Sequence, residues 1–118
     1  MIGVVFVRRL REGKTYADFV EAWYPDEGFG VPARILSGPG VADAREVVTV
    51  GFIDVEPDAL DDLGERVAAA EATRHDRIAD VIESTELRTF FTVDGDHDFS
   101  DAPTPLSPDR EGFPWRSA

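Results

Sequence analysis

The order of elements in this 118-residue chain predicts an α+β fold of the ferredoxin-like βαββαβ type. Such a fold is a four-stranded antiparallel sheet with two helices on one face. Three observations predict it. Residues 1–9 and 47–55 are β-branched apolar runs of strand length. Two stretches of helical periodicity interleave with the strand-like runs. Both alternate sets of the strongest strands are apolar, so each face of the sheet wants cover.

The elements follow in order. In residues 1–9, Ile2, Val4 and Phe6 alternate with Gly3, Val5 and Val7, apolar on both sides until the arginines. Residues 11–14 are a loop turning at Gly13. Thr15 is a good N-cap and Asp18 stands where a capping-box acid belongs; Tyr16, Phe19, Val20 and Trp23 then share one face. Pro25 ends this helix near Tyr24. A glycine-rich connection, 26–32, leads to a weak strand over 33–37 that Gly38-Pro39-Gly40 breaks. The loop through Arg45 is long for a hairpin and is expected to bulge over one end of the sheet.

After the 47–55 strand, Glu56-Pro57-Asp58 opens a second helix, with Leu60, Leu63, Val67 and Ala70 as its buried stripe. Thr73 with Asp76 repeats the capping pattern. It predicts a break there, a further helix to about Glu83, and a last strand over 87–93. From Asp94 the composition turns to acids and prolines. The domain is thus 1–93, and 94–118 is an acidic, Pro-rich tail that reads as disordered. Its exception is Phe113-Pro114-Trp115, aromatic enough to clip the tail onto its own domain or a neighbour.

Composition removes several chemistries. With no cysteine there are no disulfides, thiolate metal sites or cysteine nucleophiles. A formal charge of -12 repels phosphate backbones and anionic surfaces, so neither nucleic acid nor membrane is expected as a partner. Arg8, Arg9, Arg11 and Lys14 are the one local basic cluster, suited to rimming a pocket or blunting a strand end. The first residues carry their charges after a short apolar run, the reverse of a secretory signal, and the expected location is cytoplasmic.

The apolar surplus predicts a partner. The face away from the helices carries either Val5, Val7, Val48, Val50 and Phe52 or Val4, Phe6, Val47 and Ile53, with Phe91 or Phe90 added by the last strand. Leaving such a set wet forgoes roughly 10 kcal/mol of burial, against about 5–15 kcal/mol for the whole stability of a domain. A second copy packing sheet to sheet is the economical cover, so a homodimer through the open sheet face is expected.

The opening of the chain carries a resemblance. An apolar first strand ending in Arg8-Arg9, then Arg11-Glu12-Gly13-Lys14-Thr15-Tyr16-Ala17-Asp18-Phe19-Val20-Glu21-Ala22-Trp23, resembles the start of the dimeric α+β-barrel superfamily. The closest likeness is to its EthD-like and antibiotic-biosynthesis-monooxygenase-like branches. It covers residues 1–93 as topology and 1–24 as sequence. The resemblance implies a barrel of two sheets and a small aromatic or polyketide-like ligand between sheet and helices, oxidised in some members without metal or flavin. Tyr24-Pro25-Asp26-Glu27 stands where the EthD pattern has a histidine, and the asparagine of some monooxygenase-like members has no counterpart.

Candidate site residues follow. Tyr16, Trp23 and Tyr24 place polar-tipped aromatics on or beside the core face of the first helix, fit for core packing or for lining a pocket with Phe52. His75, expected on the buried stripe of Ile78 and Ile82, is either a structural histidine or a general base titrating near neutrality. In the catalytic reading His75 accepts a proton while Arg34 or Arg88 holds developing negative charge, as in a cofactor-independent monooxygenase or isomerase. No cofactor is expected, haem held by His75 being the alternative, and no metal site. Asp94-Gly95-Asp96-His97-Asp98 lacks the later ligands of a calcium loop, and Gly28-Phe29-Gly30 lacks the strand-turn-helix of a dinucleotide site. The competing classes are a non-catalytic binding or assembly subunit and a regulatory domain that takes its ligand at the subunit interface.

Overall fold

Strands β1 (Ile2–Leu10), β2 (Ala33–Pro39), β3 (Glu46–Ile53) and β4 (Ile82–Thr92) form one sheet in the order β2-β3-β1-β4. Every neighbouring pair is antiparallel. Helices α1 (Tyr16–Trp23) and α2 (Leu60–Ile78) provide the two crossovers, which makes this the expected ferredoxin-like arrangement. This is a computed structural model, and it describes residues 1–24, 28–110 and 112–114. Pro25, with which the sequence ends α1, and Asp26, Glu27 and Trp115 lie outside the described residues.

The first helix forms as its cap predicts. The Thr15 hydroxyl accepts from the Asp18 amide at 3.2 Å, and the Asp18 carboxylate accepts from the Thr15 amide at 2.8 Å. Phe19 and Trp23 are its buried residues, stacked with ring centres 5.7 Å apart. They meet Leu10, Val47, Ile78 and Val81 in the core between helices and sheet. The 40–45 loop folds against the end of β1 as expected: the Leu10 amide donates to the Arg45 carbonyl at 2.7 Å, and the Arg45 guanidinium returns a bond to the Leu10 carbonyl. Gly38 and Pro39 do not break β2, which runs through them to pair with Val48 and Val47. An edge strand tolerates proline because its outward amide has no ladder partner.

The predicted break at Thr73 is absent. After a short 3-10 turn (Pro57–Ala59), α2 is one unbroken helix to Ile78, and strand begins at Ile82, not at 87. The Thr73 hydroxyl donates to the Ala69 carbonyl one turn back, at 3.2 Å. Bonding back into its own helix, it caps nothing. The unbroken phase carries the buried stripe from Leu63 through Arg74 to Ile78, so Ala70 is exposed and Arg74, not His75, faces inward.

Register assigns the faces. Ile2, Val4, Phe6, Arg8 and Leu10 share the helix side of β1 with Val47, Thr49, Gly51 and Ile53 of β3. The far side carries Val5, Val7, Val48, Val50 and Phe52, joined by Leu36, Leu87 and Phe91 through their pairings. Gly3 leaves room there for the Phe91 ring, which lies where a Cβ would stand. Leu36, Leu87 and Phe91 remain 51%, 46% and 43% exposed, so this face keeps the apolar surplus that the alternation implies.

The described part of the tail is ordered. Strands β5 (Asp96–Asp98) and β6 (Thr104–Leu106) pair as a small ribbon. An Arg110–Asp96 ion pair at 3.0 Å closes it. Beyond it, Phe113 meets Phe52 edge-on at 6.3 Å and the Arg34 guanidinium donates to the Pro114 carbonyl at 2.9 Å. Phe113 therefore seats on the open face of its own sheet.

Candidate functional site

Of the four basic residues clustered after the first strand, three lie outside: Arg9 pairs with Asp43 at 3.0 Å, Arg11 donates to the Ala79 carbonyl, and Lys14 is exposed. Arg8 does not. Its strand parity is that of Ile2, Val4 and Phe6, so it points under the helices and is only 4% exposed. A register shift in the β1–β4 ladder between Val7 and Arg8 adjoins it. Bulges of this kind re-aim a side chain locally.

The guanidinium of Arg8 lies 4.3 Å from the ring centre of Phe6 and 5.6 Å from that of Phe19. Its hydrogen bond runs from Nη1 to Thr49 Oγ1 at a long 3.4 Å, and its buried Nε meets no acceptor. Burial first, then the charge of Arg74, pulls its pKa down from the ordinary arginine range to about 10. It is still a cation at pH 7, held in the fold at a cost of about 3 kcal/mol. Cation–π contact with two rings offsets part of that.

Three more basic groups converge on the same place. Arg88 on β4 lies 4.7 Å from the Phe90 ring and 5.7 Å from the Phe6 ring, and those two rings meet edge-on at 6.3 Å. Arg74 on α2 pairs with Glu71 and faces the Trp23 ring at 5.7 Å. His75 lies on the exposed margin of α2. Its pKa is pushed below the ordinary 6.5, by partial desolvation first and then by the charges of Arg8, Arg74 and Arg88, with Asp76 opposing. The neutral imidazole is thereby kept available as a proton acceptor at neutral pH. Phe90 is 38% exposed, so the Phe6 and Phe90 rings with Arg88 form a partly exposed aromatic and basic patch.

Not all the residues singled out from sequence meet here. His75 and Arg88 are brought together. Arg34 and Phe52 lie on the opposite face of the sheet, beneath the tail. Tyr16 reaches the β2 edge instead, its hydroxyl bonded to Ser37 Oγ at 2.5 Å. Trp23 is packed into the core, and Tyr24 is 67% exposed at its edge. The space between α1 and the sheet, where the resemblance puts a ligand, is filled by Phe19 and Trp23 themselves. Two open hollows elsewhere, one bordered by Asp18, Glu21 and Arg77 and one at the tail ribbon, give a ligand no enclosure. Among the described residues no group of three or more acids and histidines could hold a metal ion.

Arg8, Phe6, Arg74 and Phe90 are the site residues that sequence reasoning missed. For Arg8 the signal was present: it is the fourth member of the Ile2, Val4, Phe6 alternation, and that set faces the helices.

No protein-family model matches the chain and no curated protein matches it. Solved structures do. One, from Chloroflexus aurantiacus J-10-fl, is provisionally assigned as an antibiotic biosynthesis monooxygenase; it is 15% identical, with TM-score 0.53, over 82% of this chain and 96% of that one. Another, protein Atu4242 from Agrobacterium tumefaciens, is 23% identical, with TM-score 0.52, over 78% of this chain and 92% of that one. Among the described residues no helix is long and apolar enough to cross a membrane. At such identities the likeness speaks for architecture alone: the chain shares the α+β fold of these two structures.

Proposed function

We propose that this is a homodimeric α+β-barrel protein that binds a small aromatic molecule at the exposed patch of strands β1 and β4. The observation that supports this reading is an aromatic pair, the partly buried Phe6 and the 38% exposed Phe90, beside Arg88 and near His75. The exposed apolar face opposite supports the second copy. The chemistry the patch suits is that of a cofactor-independent monooxygenase or isomerase. His75 would take a proton from the ligand and Arg88 would hold the negative charge left on it. Arg34 has no part in this scheme.

A non-catalytic binding or assembly subunit is the second reading. The filled core beneath Trp23 favours it, because the interior there has no room for a reacting molecule. Crystals soaked with 2-naphthol separate the outcomes. Density against Phe6 and Phe90 supports the patch as the site; no density there, or density on the other face near Phe52, contradicts it. Once a turned-over ligand is found, His75→Ala with unchanged turnover would remove the proton-acceptor role. A Soret band in the purified protein would replace the cofactor-free scheme with the haem alternative.

A further inference from the structure

Pairing divides the far face of the sheet into rows of different character. Arg34, Phe52, Gly3 and Phe91 share its end row. The next two rows run through Leu36, Val50 and Val5 and through Val48, Val7 and Leu87, and neither carries a charge. Charge returns beyond them, where Arg9 stands opposite Glu46 and pairs with Asp43 at 3.0 Å.

The end row is the one the tail holds. Phe113 meets Phe52 there, and the Arg34 guanidinium donates to the Pro114 carbonyl. The segment making these contacts is itself braced. Arg110 gives two bonds to the Asp96 carboxylate of the ribbon, at 3.0 and 3.2 Å, and its guanidinium lies 5.2 Å from the centre of the Phe113 ring. The Phe113 amide donates to the Arg110 carbonyl at 3.2 Å across Gly112, whose φ of 83° favours glycine. One guanidinium thus ties the ribbon to the ring that sits on the sheet.

We infer that the tail is a strap that takes the charged end row of the far face, and that a second copy seats on the two uncharged rows alone. The inference rests on the homodimer of the proposed reading and names the surface that dimer uses. Sheets packed face to face lie about 10 Å apart with their side chains interdigitated, which leaves no layer for a polypeptide between them. The strap and a partner therefore cannot both lie over Phe52. Charge decides between them. Arg34 gives the strap's carbonyl a charge-assisted bond, whereas the centre of an interface between copies is depleted in charge. The uncharged rows suit the partner: Leu36 and Leu87 are left 51% and 46% exposed by the single chain.

Sedimentation equilibrium of the full chain tests this, with NOEs between differently labelled copies to locate the contact. In the parent dimer those NOEs are expected at the methyls of Leu36, Val50, Val5 and Leu87 and not at the Phe52 ring. Leu36→Asp is expected to raise the dissociation constant at least about tenfold, since the partner would bury its carboxylate. Phe113→Ala is expected to leave the constant within about threefold while moving the amide shifts of Arg34 and Phe52. A larger change in Phe113→Ala overturns the division: a tighter dimer makes the strap a competitor for the same row, and a looser one puts it inside the interface. Unmoved Phe52 shifts overturn the strap. NOEs at the Phe52 ring, or a Leu36→Asp chain that pairs as the parent does, overturn the footprint. Each of these leaves the homodimer standing; a parent that stays a single chain overturns both.

Discussion

Both faces of this sheet are apolar, and they differ in what interrupts them. On the helix side Leu10, Phe19, Trp23, Val47, Ile78 and Val81 close a core at one end, and the sequence then interrupts it with Arg8 and Arg74. On the far side Val5, Val7, Val48, Val50 and Phe52 lie together, Arg34 stands at their margin across from Phe52, and Phe113 meets Phe52. The difference is that the helix side keeps a guanidinium buried inside it, while Arg34 on the far side stays exposed at the margin. A face meant for a second copy gains from uniformity. A buried guanidinium costs the helix side stability.

Breaking the uniform face should have the largest effect. Val50→Asp sets a carboxylate in the middle of it, and each copy of a dimer would bury one. The dissociation constant by sedimentation equilibrium is expected to rise by roughly a hundredfold or more. Next comes the interrupted face: Arg8→Met should raise chemical-denaturation stability by about 1–3 kcal/mol, the gain expected when a buried charge becomes a well-packed apolar group. The clip is smaller. Phe113→Ala should lower stability by about 1 kcal/mol, the worth of one edge-on ring contact. A loss near zero would mean that the tail leaves Phe52 in solution.

The finest prediction concerns His75. Its proton is held less readily in the folded chain than in the unfolded one, so its contribution to stability is intact above pH 6.5 and is lost as the pH falls below that value. An NMR titration should place its midpoint below 6.5 in the free protein, because partial desolvation and then Arg8, Arg74 and Arg88 disfavour the proton. A midpoint above 6.5 in the free protein would show that these arginines do not act on it.

Much of this architecture is legible in the residues. The Thr15–Asp18 box, the Val47 run and the doubled alternation of β1 lead to the helix, the central strand and the two-sided sheet. The α2 break misleads because a hydroxyl followed three residues later by an acid is a cap only where the backbone leaves its helix. Within an unbroken helix Thr73 bonds backward instead. That one slip of phase exchanges His75 for Arg74 on the inner side. Arg34 and Phe52 fall away from the site because sequence alone leaves open which parity faces the helices; only pairing across β3 decides it. Arg8 is hidden by its company, since arginines closing an apolar strand read as a solvated end.

The mass of the native chain in solution tests most directly the proposal that a second copy covers the apolar far face. Light scattering at micromolar concentration should return twice the 13.0 kDa chain mass, falling to a single chain in Val50→Asp. A parent protein that scatters as one 13.0 kDa chain across that range would contradict the account.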